Sequence, residues 1–139
     1  MTTLVEQGTG KTLALPAANP FTDTMDRCVL AAYQLGIVKG TSATTFNPNV
    51  TITRQEAAVM LARTARVMGL SAKNGMSFAD ADQIADWAKE DVSFVSGLTD
   101  TVSGSKVMNG TGNGNFSPRS FYTREQAYVT ALRLFNCGK

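Results

Sequence analysis

Two arginines carry the clearest chemistry in this sequence of 139 residues. Arg54 and Arg124 each follow a threonine directly, in Ile52-Thr53-Arg54-Gln55-Glu56-Ala57 and in Tyr122-Thr123-Arg124-Glu125-Gln126-Ala127. A threonine so placed caps a helix, and a helix start presents unpaired amides and a partial positive charge. A guanidinium beside it can grip a carboxylate through paired hydrogen bonds, which makes each Thr-Arg pair a candidate anion site. The competing role is structural: each arginine pairs with a carboxylate of its own repeat, Asp23 or Asp80, and braces the helix against that turn. Both roles stay open for both arginines.

Other residues offer weaker chemistry. Gly40 and Gly110 would let backbone approach a sugar closely, although a glycine in a loop more often serves a turn. Trp87, the single tryptophan, could stack on a sugar ring, but Ile84, Trp87 and Ala88 share a helical face and core packing is the expectation. The acids Asp80, Asp82, Asp86, Glu90 and Asp91 lack the central glycine of a calcium loop, and they read as helix-start and solvent-facing residues rather than a hydrolase pair. Gly8-Thr9-Gly10-Lys11-Thr12 imitates the end of a phosphate-binding loop, but the required earlier glycine is Val5. Histidine is absent, which removes the usual general base and the commonest nitrogen ligand for a metal. No catalytic residue, metal site or cofactor is therefore expected. Cys28 and Cys137 form no Cys-x-x-Cys pair and are expected to be free, Cys28 as a small buried apolar residue.

The bulk numbers agree. Thirteen basic and eleven acidic residues are scattered without a run of like charge, so nothing favours nucleic acid or an anionic membrane. No apolar stretch is long enough to insert in a membrane, and the first twenty residues lack the basic start and hydrophobic core of a signal peptide.

The elements that position these residues occur twice. Asn19-Pro20-Phe21-Thr22-Asp23 is echoed by Met76-Ser77-Phe78-Ala79-Asp80, Val38-Lys39-Gly40 by Met108-Asn109-Gly110, and Phe46-Asn47-Pro48 by Phe116-Ser117-Pro118. The later pairs keep the 70-residue offset of the two Thr-Arg motifs, whereas the Phe-x-Asp pair is offset by 57. The 13 extra residues of copy two have two candidate homes, a Trp87-Ala88 segment and a polar loop near Leu98 to Ser103. Each copy parses as helix, Gly-rich loop, helix. In copy one, Thr22 or Asp23 caps a helix with Met25, Val29, Ala32 and Tyr33 on its apolar face. The next helix opens on a capping box, Thr53 with Glu56, and carries Ala57, Met60, Leu61, Thr64 and Met68 to a stop at Gly69. In copy two the first helix spans about Ile84 to Ser96, and Thr123 with Gln126 repeats the cap before Val129, Leu132 and Leu134 or Phe135. Phe46 and Phe116 anchor the loops between. The fold predicted is mainly α: four helices in helix-loop-helix repeats, packed as a small bundle with short extended segments. Residues 1–18 stand outside both copies, as the remainder of a preceding unit would, with a short extended stretch at Lys11 to Leu15.

The order Phe-x-Asp, helix, Gly, Phe-x-Pro, Thr-Arg-x-x-Ala, helix resembles the S-layer homology repeat, here over residues 19–70 and 76–137 of one shared-core domain. The resemblance implies a non-catalytic anchoring module at the bacterial cell surface, outside the cell. Its partner would be an anionic, often pyruvylated, secondary cell-wall polysaccharide or another peptidoglycan-linked polymer, held in grooves between repeats. Arg54, Arg124, Gly40, Gly110 and Trp87 are the candidate glycan contacts. The sequence departs from the family pattern in three places. It has two copies rather than three, copy one lacks the Trp-Ala segment, and copy two reads Thr-Arg-Glu-Gln where Thr-Arg-Ala-Glu is common. A third repeat outside this stretch, or a second chain in a homo-oligomer, would complete a groove. The competing function is a structural or oligomerisation module that keeps the fold without the glycan.

Overall fold

The computed structural model describes residues 1–137. The described residues form five α-helices and a short 3₁₀ turn, with isolated bridges in place of a sheet. The fold is mainly α, as the repeat pattern requires. The chain divides into two compact units, 1–50 and 51–139, and the division falls inside the first sequence copy.

In the first unit, α1 (Thr2–Thr9) packs against α2 (Arg27–Gln34). Helix α1 was not foreseen. It turns the Gly8-to-Thr12 segment into a helix end, with Gly10 in the left-handed region donating its amide to the Glu6 carbonyl. Lys11 to Leu15 has no ladder partner among the described residues. Helix α2 starts later than the sequence suggested. Asp26, not Thr22 or Asp23, is the cap, accepting from the amides of Cys28 at 2.7 Å and Val29 at 3.4 Å. Met25 consequently lies before the helix and is exposed, and Cys28, in the first turn, is exposed rather than buried. The core here is Val5, Phe21, Ala31, Ala32, Ile37 and Val38.

The second unit is built around α3 (Arg54–Val67) packed along α4 (Asp86–Gly97), with α5 (Arg124–Asn136) beside α3. The Thr53–Glu56 capping box forms: Thr53 Oγ1 accepts from Glu56 N, and the Glu56 carboxylate accepts from Thr53 N at 2.7 Å. Helix α3 is buried beyond the predicted stripe. Ala57, Ala58, Leu61, Ala62 and Ala65 are all inaccessible, and these small side chains let neighbouring elements approach on more than one side. Arg66 ties the outer edge to α4 through Asp91 and Glu90, and its guanidinium lies over the Phe94 ring.

The insertions of copy two occupy both expected places. Helix α4 has 12 residues against 8 in α2, and a turn at Asp100 to Gly104 is flanked by the Thr99–Lys106 bridge. Buried Asp100 fixes that turn. Burial raises its pKa, but hydrogen bonds from the Ser103 hydroxyl, the Val102 and Ser103 amides and the Asn136 amide outweigh this and hold it at about 2.

Three packing expectations fail in this unit. Helix α4 begins at Asp86, so Ile84 precedes it and does not share a face with Trp87, which is 59% exposed at the helix start. On α5, Leu134 is buried, but Val129 and Leu132 are exposed. A 3.6-residue pattern locates an apolar stripe without revealing what covers it.

Candidate functional site

The two Gly-rich loops share one construction. The Asp23 carboxylate accepts from the amides of Phe46 and Asn47, at 2.9 and 2.7 Å, and Asp80 accepts from Phe116 and Ser117, both at 2.8 Å. These amide bonds pull the Asp23 pKa below its ordinary value, with partial desolvation opposing them. The Phe-x-Asp aspartates are thus loop clasps and not partners of the arginines. In each loop the residue after the clasped phenylalanine is left-handed, Asn47 at φ 58° and Ser117 at φ 57°. Each phenylalanine stacks, tilted, on the Phe-x-Asp ring of its own copy: Phe46 on Phe21 at 5.6 Å and Phe116 on Phe78 at 5.2 Å.

Both glycines are required by close approach. A Cβ on Gly40 would stand 2.6 Å from the Phe21 ring and 2.7 Å from the Thr45 carbonyl, at a φ of 82°. At Gly110, where φ is ordinary, the obstacle is the Asn115 carbonyl at 2.6 Å. Neither glycine is explained by a turn alone.

Arg54 is the centre of the site. It is 5% exposed, and its Nε donates to the Phe116 carbonyl at 2.8 Å, one Nη to the Asn109 carbonyl at 2.7 Å, and the other to Gln126 Oε1 at 3.3 Å. The guanidinium also lies 4.9 Å from the Phe116 ring centroid. It therefore locks the second loop onto the start of α3, although through carbonyls rather than the carboxylate expected. Burial lowers its pKa, while attraction from Tyr122 and Asp80 works in the opposite direction. Every hydrogen-bond acceptor touching it among the described residues is neutral, so its positive charge has no contacting counter-ion among them.

Gln126 explains part of this. Thr123 Oγ1 accepts from the Gln126 amide, which is half of a capping box. The Gln126 side chain does not return to the Thr123 amide; its oxygen is given to Arg54. Copy two therefore has a single cap and not the reciprocal device expected from its sequence.

A cleft of about 580 Å³ opens over this arrangement, lined by Arg54, Met108, Asn109, Gly110, Thr111 and, from α5, Glu125, Gln126, Val129, Thr130 and Arg133. Its charged groups are two guanidiniums and one carboxylate. Glu125 is held ionised, its pKa lowered by its own backbone amide and by the Thr123 hydroxyl. Arg133 reaches the Lys106 carbonyl at 3.3 Å through one nitrogen. The balance is positive, in a concave and partly desolvated setting where charge acts more strongly than on open surface.

A family model for the S-layer homology domain matches residues 27–58 and 100–127. This chain belongs to the S-layer homology family. The matched segments of this S-layer homology chain run from α2 to the first turn of α3, and from Asp100 to the first turn of α5, so each takes in one Gly-rich loop and one Thr-Arg helix start. The chain is 32% identical over 104 residues to an endoglucanase of Bacillus sp. (strain KSM-635), covering 74% of this chain and 10% of that protein. It is 32% identical over 108 residues to the surface-layer 125 kDa protein of Lysinibacillus sphaericus, covering 76% and 8%. It thus spans about a tenth of the length of these curated relatives. Such repeats place it at the cell surface, as an anchoring module. Among the described residues no helix is long and apolar enough to cross a membrane.

Of the sequence-predicted contacts, the cleft of this S-layer homology chain gathers Arg54 and Gly110. Gly40 belongs to the first loop, in the other unit. Arg124 is exposed and makes no hydrogen bond or ion pair among the described residues, so of its two open roles the brace is not formed among them. Trp87 does not line the cleft. Gln126 and Arg133 were missed. Both left a signal: Gln126 replaces the usual glutamate of the family pattern, and Arg133 follows Arg63 by the same 70 residues that separate the other repeated positions.

Proposed function

We propose that this chain is a non-catalytic, extracellular cell-wall anchor, and that the Arg54 cleft holds a carboxylate-bearing secondary wall polysaccharide, a pyruvylated one being the best chemical match. The observation that carries the reading is the charge of Arg54, buried among neutral acceptors at the wall of a cleft whose other charged groups, among the described residues, are Arg133 and Glu125. A ketal carboxylate entering there would meet two guanidiniums, Arg54 and Arg133. The positive balance disfavours a neutral glycan, because desolvating unpaired charge against it returns no ion pair.

The test is co-sedimentation with cell-wall sacculi carrying or lacking their secondary polymer. Polymer-dependent binding is expected, and reduction of the polymer carboxylates should abolish it. Gln126→Glu is the sharpest variant. It places a carboxylate against Arg54 and can complete the Thr123 capping box, so the fold should hold or gain stability while affinity falls by about tenfold. Binding by the intact chain that ignores both Gln126→Glu and carboxyl reduction would sink the anionic-glycan reading. No binding at all would favour a structural module, a reading to which the use of Arg54 as a loop brace already lends support.

A further inference from the structure

In the second unit the start of α3 and the second loop form a defined joint. Arg54 N donates to the Ser120 carbonyl at 2.9 Å, Gln55 N to the Pro118 carbonyl at 3.0 Å, and the Arg54 guanidinium holds the carbonyls of Asn109 and Phe116. Moving each participant by the 70-residue repeat yields a second, unmade joint. Its helix side is Arg124 and Glu125 at the start of α5; its loop side is the carbonyls of Lys39, Phe46, Pro48 and Val50.

Both halves are present and neither is engaged. The Arg124 guanidinium has no hydrogen bond or ion pair among the described residues, and none of those four carbonyls accepts a hydrogen bond there. Burial tells the same story. Phe116 and Pro118 are fully buried, whereas Phe46 is half-buried and Pro48 exposed. On the helices, Ala58 and Ala62 of α3 are inaccessible, whereas Tyr128 and Leu132, their counterparts on α5, are exposed. The first loop already has the shape the joint requires, with the same aspartate clasp and the same left-handed residue as the loop Arg54 grips.

We infer that a second copy of this chain supplies the missing partner: the first loop of one copy docks head to tail on the α5 start of another. Arg124 donates to the Lys39 and Phe46 carbonyls as Arg54 does to those of Asn109 and Phe116. The contact is heterologous, using different surfaces on the two copies, so it leads to a ring or an open chain and not an isologous pair. It borders the glycan cleft at Glu125, but neither Arg124 nor the first loop is part of the cleft lining.

Sedimentation velocity of the intact chain from about 1 µM to about 1 mM spans the affinities expected of a small polar joint. The mass should rise with concentration to two chains or more. Arg124→Ala removes the donor and Val50→Asp places a charge on the loop side; both positions are exposed, so each variant should keep the wild-type Tm and remain monomeric alone. An equimolar mixture should form a heterodimer, because it contains one intact α5 start and one intact first loop. A wild-type chain that stays monomeric throughout, association that neither substitution weakens, or a mixture that fails to associate would each overturn the inference.

Discussion

The starts of α3 and α5 are written with nearly the same residues, Thr-Arg-Gln-Glu-Ala and Thr-Arg-Glu-Gln-Ala, yet they occupy opposite environments. Arg54 is buried and donates to three acceptors, and Thr53 belongs to a complete capping box. Arg124 is exposed, and Thr123 holds a half box whose glutamine has been drawn away by Arg54 itself. The motif therefore does not determine its own role. It provides a helix start with a long donor beside it, and whatever loop lies next to that start decides whether the donor becomes a brace.

The largest expected consequence is the gap between two alanine substitutions. Arg54→Ala leaves the Asn109 and Phe116 carbonyls without donors and opens a gap beside the Phe116 ring, a loss of about 3 kcal/mol in unfolding free energy. Arg124→Ala, measured where the chain is monomeric, should change stability by less than about 0.5 kcal/mol. Urea unfolding monitored by helix circular dichroism gives both values. Equal losses would show that the two helix starts are equivalent in solution. Arg54→Lys sharpens the point: a single ammonium cannot span acceptors arranged around a planar fork, so lysine should recover less than half of the loss.

The caps give a smaller difference. Thr53→Ala removes a hydroxyl that accepts from Glu56 N and donates to the Glu56 carboxylate, at a cost of about 1.5 kcal/mol. Thr123→Ala removes the acceptor for Gln126 N and a hydroxyl that bears on the exposed Glu125 carboxylate, but no reciprocal box, at about 0.7 kcal/mol. If Thr123→Ala proved the costlier, Gln126 would have to be closing the box in solution, and its bond to Arg54 would be the weaker alternative. The same unfolding measurements, run on the two variants in parallel, decide this.

What could be read from the sequence follows from how locally each feature is determined. The capping box, the Phe-Pro loops and the fold class depend on residues within a few positions of one another or on the 70-residue echo, and these were legible. The extent of burial on α3 was not, because Ala58, Ala62 and Ala65 carry little apolar signal and are buried by what packs around them. Trp87 failed for the converse reason: a large apolar side chain at the first turn of α4 lies beyond the element that covers Ala88 and Val92. Half of the site was legible in Arg54 and Gly110. Its other half lies on α5, where Gln126 and Arg133 gain meaning only once the second loop and the start of α3 are folded beside them. Asp23 and Asp80 read in the sequence as a helix cap, as a solvent-facing acid or as partners of the arginines, and the loop clasp they form was not foreseen, since a carboxylate can as readily clasp two amides as one guanidinium.

The smallest difference involves reactivity rather than stability, and it contrasts the two thiols. Cys28 lies exposed in the first turn of α2, whereas Cys137 is half-buried at the end of α5, where its thiol is directed at the Arg133 carbonyl at 3.2 Å. Burial, and after it repulsion from the Asp100 carboxylate, pushes the Cys137 pKa up to about 11. A raised thiol pKa keeps the protonated form, and only the thiolate attacks an alkylating agent. At pH 8 roughly one Cys137 thiol in a thousand is ionised, and the labelling rate should climb about tenfold per pH unit until pH approaches 11. Iodoacetamide labelling followed by peptide mass spectrometry should therefore show Cys28 modified first at pH 8, with the gap narrowing as pH rises. Asp100→Asn removes the charge repulsion and should move the Cys137 profile to lower pH without altering that of Cys28. A Cys137 as reactive as Cys28 at pH 8 would mean that the end of α5 opens readily, and that the hydrogen bonds joining Asn136 to the Asp100 turn hold it less firmly than their geometry indicates.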